Sequence, residues 1–219
     1  MLRMTPIKLS IENLSIGLVW LFHISGILGI LYGNSDWFIS ATPVNLTLNF
    51  VLLLINCKGN KWFILIILLG FFTGMTTEIL GVQFGWIFGD YQYGSQLGTK
   101  VLGVPLLIGI NWALLTVITG AIAHQFYSNL FMRVFIGVGL MLFLDLLMEP
   151  LAPVLDFWAF DGSEAPLQNY IGWAAVALFL QLSYHFFKIK ITSWFPHHLY
   201  LLQIIFFSVL LIKHTTVGL

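Results

Sequence analysis

Long apolar runs separated by short polar breaks dominate the 219-residue chain. Averaged over windows of about 19 residues, the apolar stretches fall near 14–32, 37–56, 62–80, 101–123, 129–150, 170–187 and 196–212. Gly33 to Asp36, Cys57 to Lys61, Asp90 to Lys100, His124 to Asn129, Ala152 to Asn169 and Lys188 to Trp194 form the breaks. Each run is long enough as a helix to cross roughly 30 Å of hydrocarbon. An isolated strand in lipid would leave its backbone unpaired, and no period-two alternation runs through these stretches. The pattern predicts an all-α polytopic membrane protein of about seven transmembrane helices, a single helical domain over 1–219. Between Trp62 and Gly89 the run is scarcely interrupted. The third helix is therefore either long and tilted or gives way to a re-entrant segment around 78–95.

Small residues recur at spacings of three or four, which lets helix backbones approach closely. Gly26, Gly29 and Gly33 do so in the first helix, Gly70 and Gly74 in the third, and Thr77, Gly81, Gly85 and Gly89 beyond them. Composition agrees with a lipid environment: 59% of residues are apolar, 16% aromatic and 8% charged. A soluble domain of this size carries about a quarter charged residues and cannot hide so much apolar surface in its own core. Nine Lys and Arg balance nine Asp and Glu, so no basic face exists to attract nucleic acid. The lone Cys57 forms neither an internal disulfide nor a thiolate cluster and reads as apolar filler. Arg3 and Lys8 ahead of the first run have some look of a signal peptide. Glu12 and the lack of a small-x-small cleavage site argue instead for an uncleaved first helix.

Charge orders the spans. Arg3, Lys8, Lys58, Lys61, Arg133, Lys188 and Lys190 fall on one side of the predicted membrane, Lys100 and Lys213 on the other. The positive-inside rule then puts the N-terminus in the cytoplasm and the C-terminus outside, with the protein in the bacterial inner (cell) membrane. Acids do the reverse: all but Glu12 lie in outer loops or at outer helix ends.

Three of those acids, Glu78, Asp145 and Glu149, fall inside or at the edge of spans, where an ionised carboxylate costs about 3 kcal/mol on insertion scales. Asp145 and Glu149 are four residues apart and share one helix face. Two carboxyl groups that close in low dielectric share a proton, and a protonated acid is a general acid. Glu78 ends its helix on the same outer side, so the three converge on one candidate catalytic pocket. Each also has a plainer reading, as a carboxylate paired for packing or snorkelling at a helix end. Aromatic residues gather at that level: Trp86, Phe88, Tyr91, Tyr93, Trp112, Trp158, Phe160 and Trp173. They make either an interfacial belt or the walls of a cavity whose π faces stabilise a carbocation. His23, well inside the first span, reads first as an interhelical hydrogen-bond partner and second as a proton relay or water-positioning group. Lys213 lies at the outer end of the last run, where retinal chemistry has no use for it, and no GxSxG, HExxH or P-loop pattern occurs.

Glu78-x-x-Gly81, Phe88-Gly89-Asp90-Tyr91-Gln92-Tyr93, Gly103-Val104-Pro105 and Trp112 occur in that order. Asp145-x-x-x-Glu149-Pro150, Trp158, Pro166-x-x-Asn169 and Trp173 follow. Together, over about residues 70–175, they resemble the CruF-type integral-membrane carotenoid biosynthesis proteins, with Phe160 standing where a second Trp is expected. That family is similar to carotenoid 1,2-hydratases and to bisanhydrobacterioruberin hydratases. The resemblance implies a cofactor-independent hydro-lyase that adds water across the terminal C1=C2 bond of an acyclic γ-carotene- or lycopene-like end group. Together with the reading of the residues themselves, it points to Asp145, Glu149 and Glu78 as catalytic acids, and to Trp86, Tyr91, Tyr93, Trp112, Trp158, Asn169, Trp173 and His23 as substrate-binding residues. Its partners would be the carotenoid, the lipid bilayer and other carotenoid-pathway enzymes. A cyclase sharing the protonation step and a non-catalytic lipophile-binding membrane protein stay open. A Mg²⁺-dependent prenyltransferase is disfavoured, because Asp145-x-x-x-Glu149 has no second acidic motif or basic diphosphate partners, and no metal site is expected.

Overall fold

The structure is a computed structural model and describes residues 10–162 and 164–217. Arg3 and Lys8, part of the charge argument above, lie outside the described residues. The described residues form eight helices and four short strands, in the order α1 (Ile11–Tyr32), α2 (Ser35–Ser40), α3 (Thr42–Asn56), α4 (Phe63–Phe84), β1 (Tyr91–Tyr93), β2 (Lys100–Val101), β3 (Val104–Pro105), α5 (Leu106–Phe126), α6 (Leu130–Met148), β4 (Trp158–Phe160), α7 (Leu167–Phe186) and α8 (Phe195–Val217). By length and composition five of the helices are suited to cross a membrane: α1, α4, α5, α6 and α8. Five such helices suit an integral membrane protein. α3 has only 15 residues, and α7 dilutes its apolar face with Gln168, Asn169, Gln181, Ser183 and His185. Length and composition thus carry five spans rather than the expected seven or so.

Several boundaries differ from the hydropathy reading, each for a local reason. The expected helix over 37–56 breaks between Ser40 and Thr42, because Pro43 has no N–H to continue the ladder and instead starts a new helix at its first turn. The expected start at 101 moves to Leu106. Residues 100–105 are used by the β2–β3 hairpin, whose two turn residues Leu102 and Gly103 both have positive φ, the geometry of a tight two-residue turn. No re-entrant helix forms around 78–95. α4 runs to Phe84 and stops at Gly85, whose φ of 66° and crowding by Asp90 exclude a side chain there.

Beyond Gly85 the chain builds a lid over one end of the bundle. β1 pairs antiparallel with β4, placing Tyr91 opposite Phe160 and Tyr93 opposite Trp158. Alternation along each strand turns these four rings to one face and leaves Gln92 and Ala159 exposed on the other. At the opposite end, the Asn60 amide donates to the carbonyls of Phe187 and Lys188, and Glu12 accepts from Ser193 and the Trp194 backbone. That end therefore gathers the start of α1 with the α3–α4 and α7–α8 loops, and with them Lys58, Lys61, Lys188 and Lys190.

α5 is the axis of the bundle. It packs against α3, α4, α6, α7 and α8, and 72% of its apolar window is buried. Its closest partner is α4, and small residues allow it: a Cβ on Gly70 would sit 2.7 Å from the Ala113 Cα, and one on Gly74 2.5 Å from the Trp112 ring. Gly26 and Gly29 likewise face Phe206 of α8 and Phe38 of α2. Gly85 and Gly89, expected among the helix-contact residues, lie in the loop after α4.

Gly74→Leu forces Trp112 out of its place and should destabilise the protein by about 1–3 kcal/mol, the range for overpacking. Gly17→Ala, at a position with nothing within 4 Å of the new Cβ, should be neutral or slightly stabilising. Thermal unfolding in detergent, followed by tryptophan fluorescence, separates the two.

Candidate active site

Under the β1–β4 lid lies a small pocket whose lining includes Glu78, Glu149, Tyr91, Tyr93, Trp112, Trp158, Asn169 and Trp173. Eight of the eleven residues singled out in the sequence thus face one space. Ile108, Asn111, Met148, Phe88 and Phe160 complete its wall.

Glu78, 4% exposed, accepts hydrogen bonds from three side chains. Trp112 Nε1 donates to Oε1 at 2.9 Å and Tyr93 Oη to Oε2 at 2.7 Å. Tyr91 Oη also donates to Oε2 through a short bond. Tyr91 reaches it because position 81, one turn further along α4, is glycine; a Cβ there would lie 2.7 Å from the phenol oxygen. Burial first, and the adjacent Glu78 carboxyl second, push both phenols above their usual range, so they stay protonated donors.

Glu149, at the C-terminal end of α6, accepts from Asn169 Nδ2 at 3.0 Å and from Trp158 Nε1 at 3.2 Å. Asp145 lies one turn back and is fully buried. It does not line the pocket; its surroundings bring it next to Glu149, Glu78 and Asn169. Neither of its carboxyl oxygens has a hydrogen-bond partner within 3.5 Å among the described residues. Within 3.5 Å the three acids therefore form a graded set, with three donors on Glu78, two on Glu149 and none on Asp145, whose carboxyl group has Asn169 and Glu149 as its nearest polar neighbours.

Trp112 and Trp173 stack with ring centroids 4.0 Å apart, and Phe88 lies 6.3 Å from Trp112. Phe160 packs 5.3 Å from Tyr91, in the position where a second Trp was expected. π faces and indole or phenol dipoles, rather than formal cations, surround the two glutamates. Such walls suit a transient positive charge on a substrate that cannot itself be hydrogen-bonded.

Two expected site residues lie elsewhere. Trp86 is 59% exposed and packs on Phe84 outside the pocket, because the chain leaves α4 at Gly85 and turns back only at Ile87, where φ is also positive. His23 lines an adjoining cavity instead. Its hydrogen bond is not interhelical: Nδ1 is 2.7 Å from the Val19 carbonyl in the same helix, while the ring packs edge-on against Phe206. The sequence reading overlooked Asn111, which lines both cavities. A lone amide in the first turns of an otherwise apolar helix was the available signal. Among the described residues no three His, Cys, Asp or Glu side chains group as a metal site.

The fold and the site together define an integral membrane protein with two carboxyl groups enclosed by aromatic rings. The chain belongs to the carotenoid biosynthesis protein family, whose model matches residues 39–217, a span that contains the whole acid pocket. It is similar to the bisanhydrobacterioruberin hydratase of Haloarcula japonica, 28% identical over 109 residues. That match covers 44% of this chain and 36% of the relative, so the chain matches only about a third of that protein's length. No solved structure matches the chain.

The lid depends on a polar pin between its two loops. Ser95 donates from its backbone N at 2.8 Å and from Oγ at 2.6 Å to Asp156 Oδ2. Those bonds hold the exposed Asp156 carboxyl below the usual carboxylate range. An acid lowered in the folded state stabilises above its ordinary pKa, and the contribution disappears as pH falls through the lowered value. Asp156→Asn should melt below the wild type at pH 7, and the difference should close as pH drops below about 4. A melting series in detergent from pH 7 to pH 3 checks this.

Proposed function

We propose that the protein is a carotenoid-modifying enzyme, specifically a hydratase that adds water across the terminal double bond of an acyclic carotenoid end group. The observation that carries this reading is the unequal hydrogen bonding of carboxyl groups around one aromatic pocket. Glu78 is held as an acceptor by Tyr91, Tyr93 and Trp112. Glu149 faces the same pocket with the unpartnered Asp145 behind it. A buried carboxylate without donors is strongly disfavoured, so the Asp145–Glu149 pair is the natural holder of a proton.

In this mechanism Glu149 delivers that proton to the less substituted alkene carbon and Asp145 replenishes it. The π electrons form the new C–H bond, leaving a tertiary carbocation beside the stacked Trp112–Trp173 pair and beneath the lid rings. Water attacks the cation, and Glu78 takes the proton the water releases. Tyr91, Tyr93 and Trp112 fix the orientation of Glu78, and Trp158 and Asn169 that of Glu149. No redox step is involved. The similarity to a bisanhydrobacterioruberin hydratase supports the reaction class. The charge distribution supports an outer-side location of the acids, with the N-terminus cytoplasmic and the C-terminus outside.

Expression in cells that accumulate lycopene or γ-carotene, with pigments read by mass spectrometry, should give products heavier by one water. Glu149→Gln and Glu78→Gln should lower product by about 10²–10⁴-fold, the usual range for general acid–base groups, while membrane insertion is retained. Asp145→Asn should also lose product. A ring-containing pigment without added water would make the protein a cyclase, and unaltered pigment from the wild type would overturn the substrate assignment. Full activity in all three variants would remove the acid–base roles.

A further inference from the structure

A second and larger cavity adjoins the acid pocket and shares Ile108, Asn111, Met148 and Trp158 with it. Its lining is mostly apolar but carries amides that a path for hydrocarbon does not require. Asn45 and Asn49 reach it from α3, Gln203 from α8 and His23 from α1. Asn45 and Asn49 are four residues apart, hence on one helix face. Asn49 and Gln203 are 2% and 7% exposed, and the side-chain oxygens of Asn45, Asn49 and Gln203 are buried with no hydrogen-bond partner among the described residues. His23 donates from Nδ1 to its own helix, which leaves Nε2 as an acceptor.

Buried amides are normally paired, and each offers donors and acceptors together. The polyene of an acyclic carotenoid supplies neither. A small molecule that both donates and accepts, with several amides converging on it from different helices, is the ligand that satisfies them. Water has that chemistry, and polar cavities of this kind hold it. Among the described residues no carboxylate or cation lines the cavity, so an ionic ligand has no counter-charge there.

We propose that this amide-lined chamber binds water and supplies the molecule that captures the carbocation formed in the acid pocket. The proposal rests on the hydration reading. A carboxyl proton adds to the alkene, whose π pair becomes the new C–H bond. The water oxygen then forms the C–O bond, and the proton it loses passes to a carboxylate, so one H₂O is added in total. Deprived of water, the cation returns a proton from a neighbouring carbon to the carboxylate and regenerates an alkene. In D₂O the acids carry deuterium, so each abortive return can leave deuterium in unhydrated pigment. The ratio of deuterated, unhydrated pigment to hydrated pigment reports how the cation divides.

Membranes containing the full chain are incubated with lycopene or γ-carotene in D₂O, and both pigments are measured by mass spectrometry. Asn49→Leu and Gln203→Leu should raise the ratio about tenfold, the effect of one lost hydrogen bond on a partition. Asn49→Ser, which keeps a water-binding hydroxyl, should bring it back toward the wild-type value. Because both products come from the same sample, the ratio does not depend on how much protein folds. A wild-type ratio in both Leu variants overturns the proposal, as does an Asn49→Ser ratio as high as that of Asn49→Leu. Loss of deuterium and hydration together in all three variants also overturns it, since the amides would then serve protonation or folding. Wild-type protein giving neither product fails the hydratase reading itself and takes this proposal with it.

Discussion

Glu78 is the constraint on which the rest of the lidded end depends. A carboxyl group buried in a lipid-embedded bundle is tolerable only where donors surround it, and its donors come from two separate parts of the chain. Trp112 belongs to α5, the central helix, while Tyr91 and Tyr93 belong to a strand that exists only because β4 pairs with it. Satisfying one side chain therefore requires the α4–α5 contact, the turn at Gly85 and the docking of the 149–166 loop. The same lid brings Trp158 to Glu149. A local polar requirement has become a requirement on tertiary structure.

That dependence explains which features were legible in the sequence. Helices α1, α4, α5, α6 and α8 were readable because lipid demands long apolar runs, and nothing local contradicts them. α2–α3 and α7 were read as simple spans because hydropathy averages over Pro43 and over the polar residues of α7. The lid was not legible as structure. Tyr91-Gln92-Tyr93 and Trp158-Ala159-Phe160 do alternate, but three residues give no usable period, and their pairing joins positions more than sixty residues apart.

The site was more legible than its scaffold, for the same energetic reason. Carboxyl groups within spans are costly enough to be rare, so Glu78, Asp145 and Glu149 stood out. Aromatic residues carry no such penalty, and sequence had no means of separating Tyr91, inside the pocket, from Trp86, outside it. The distinction is made by two consecutive departures from helical backbone, at Gly85 and Ile87. Amides stand between these cases. Asn45, Asn49, Asn111 and Gln203 are less costly in lipid than acids and so attract less notice, yet they polarise the space beside the acid pocket.

Asp145 shows why a graded set of acids differs from a cluster. If all three carboxyl groups were equally furnished with donors, nothing in the surroundings would favour one proton position over another. Three donors on Glu78, two on Glu149 and none on Asp145 break that symmetry. A proton supplies Asp145 with the neutrality that its surroundings do not, whereas Glu78 is already satisfied as an acceptor. Glu149 lies between them in donor count and faces the pocket, and in the proposed mechanism Asp145 is the neighbour that restores its proton. Replacement of Asp145 by an apolar residue of similar volume would relieve an unsatisfied buried group and need not destabilise the fold. On the proposed mechanism its place in the structure answers to proton storage rather than to packing.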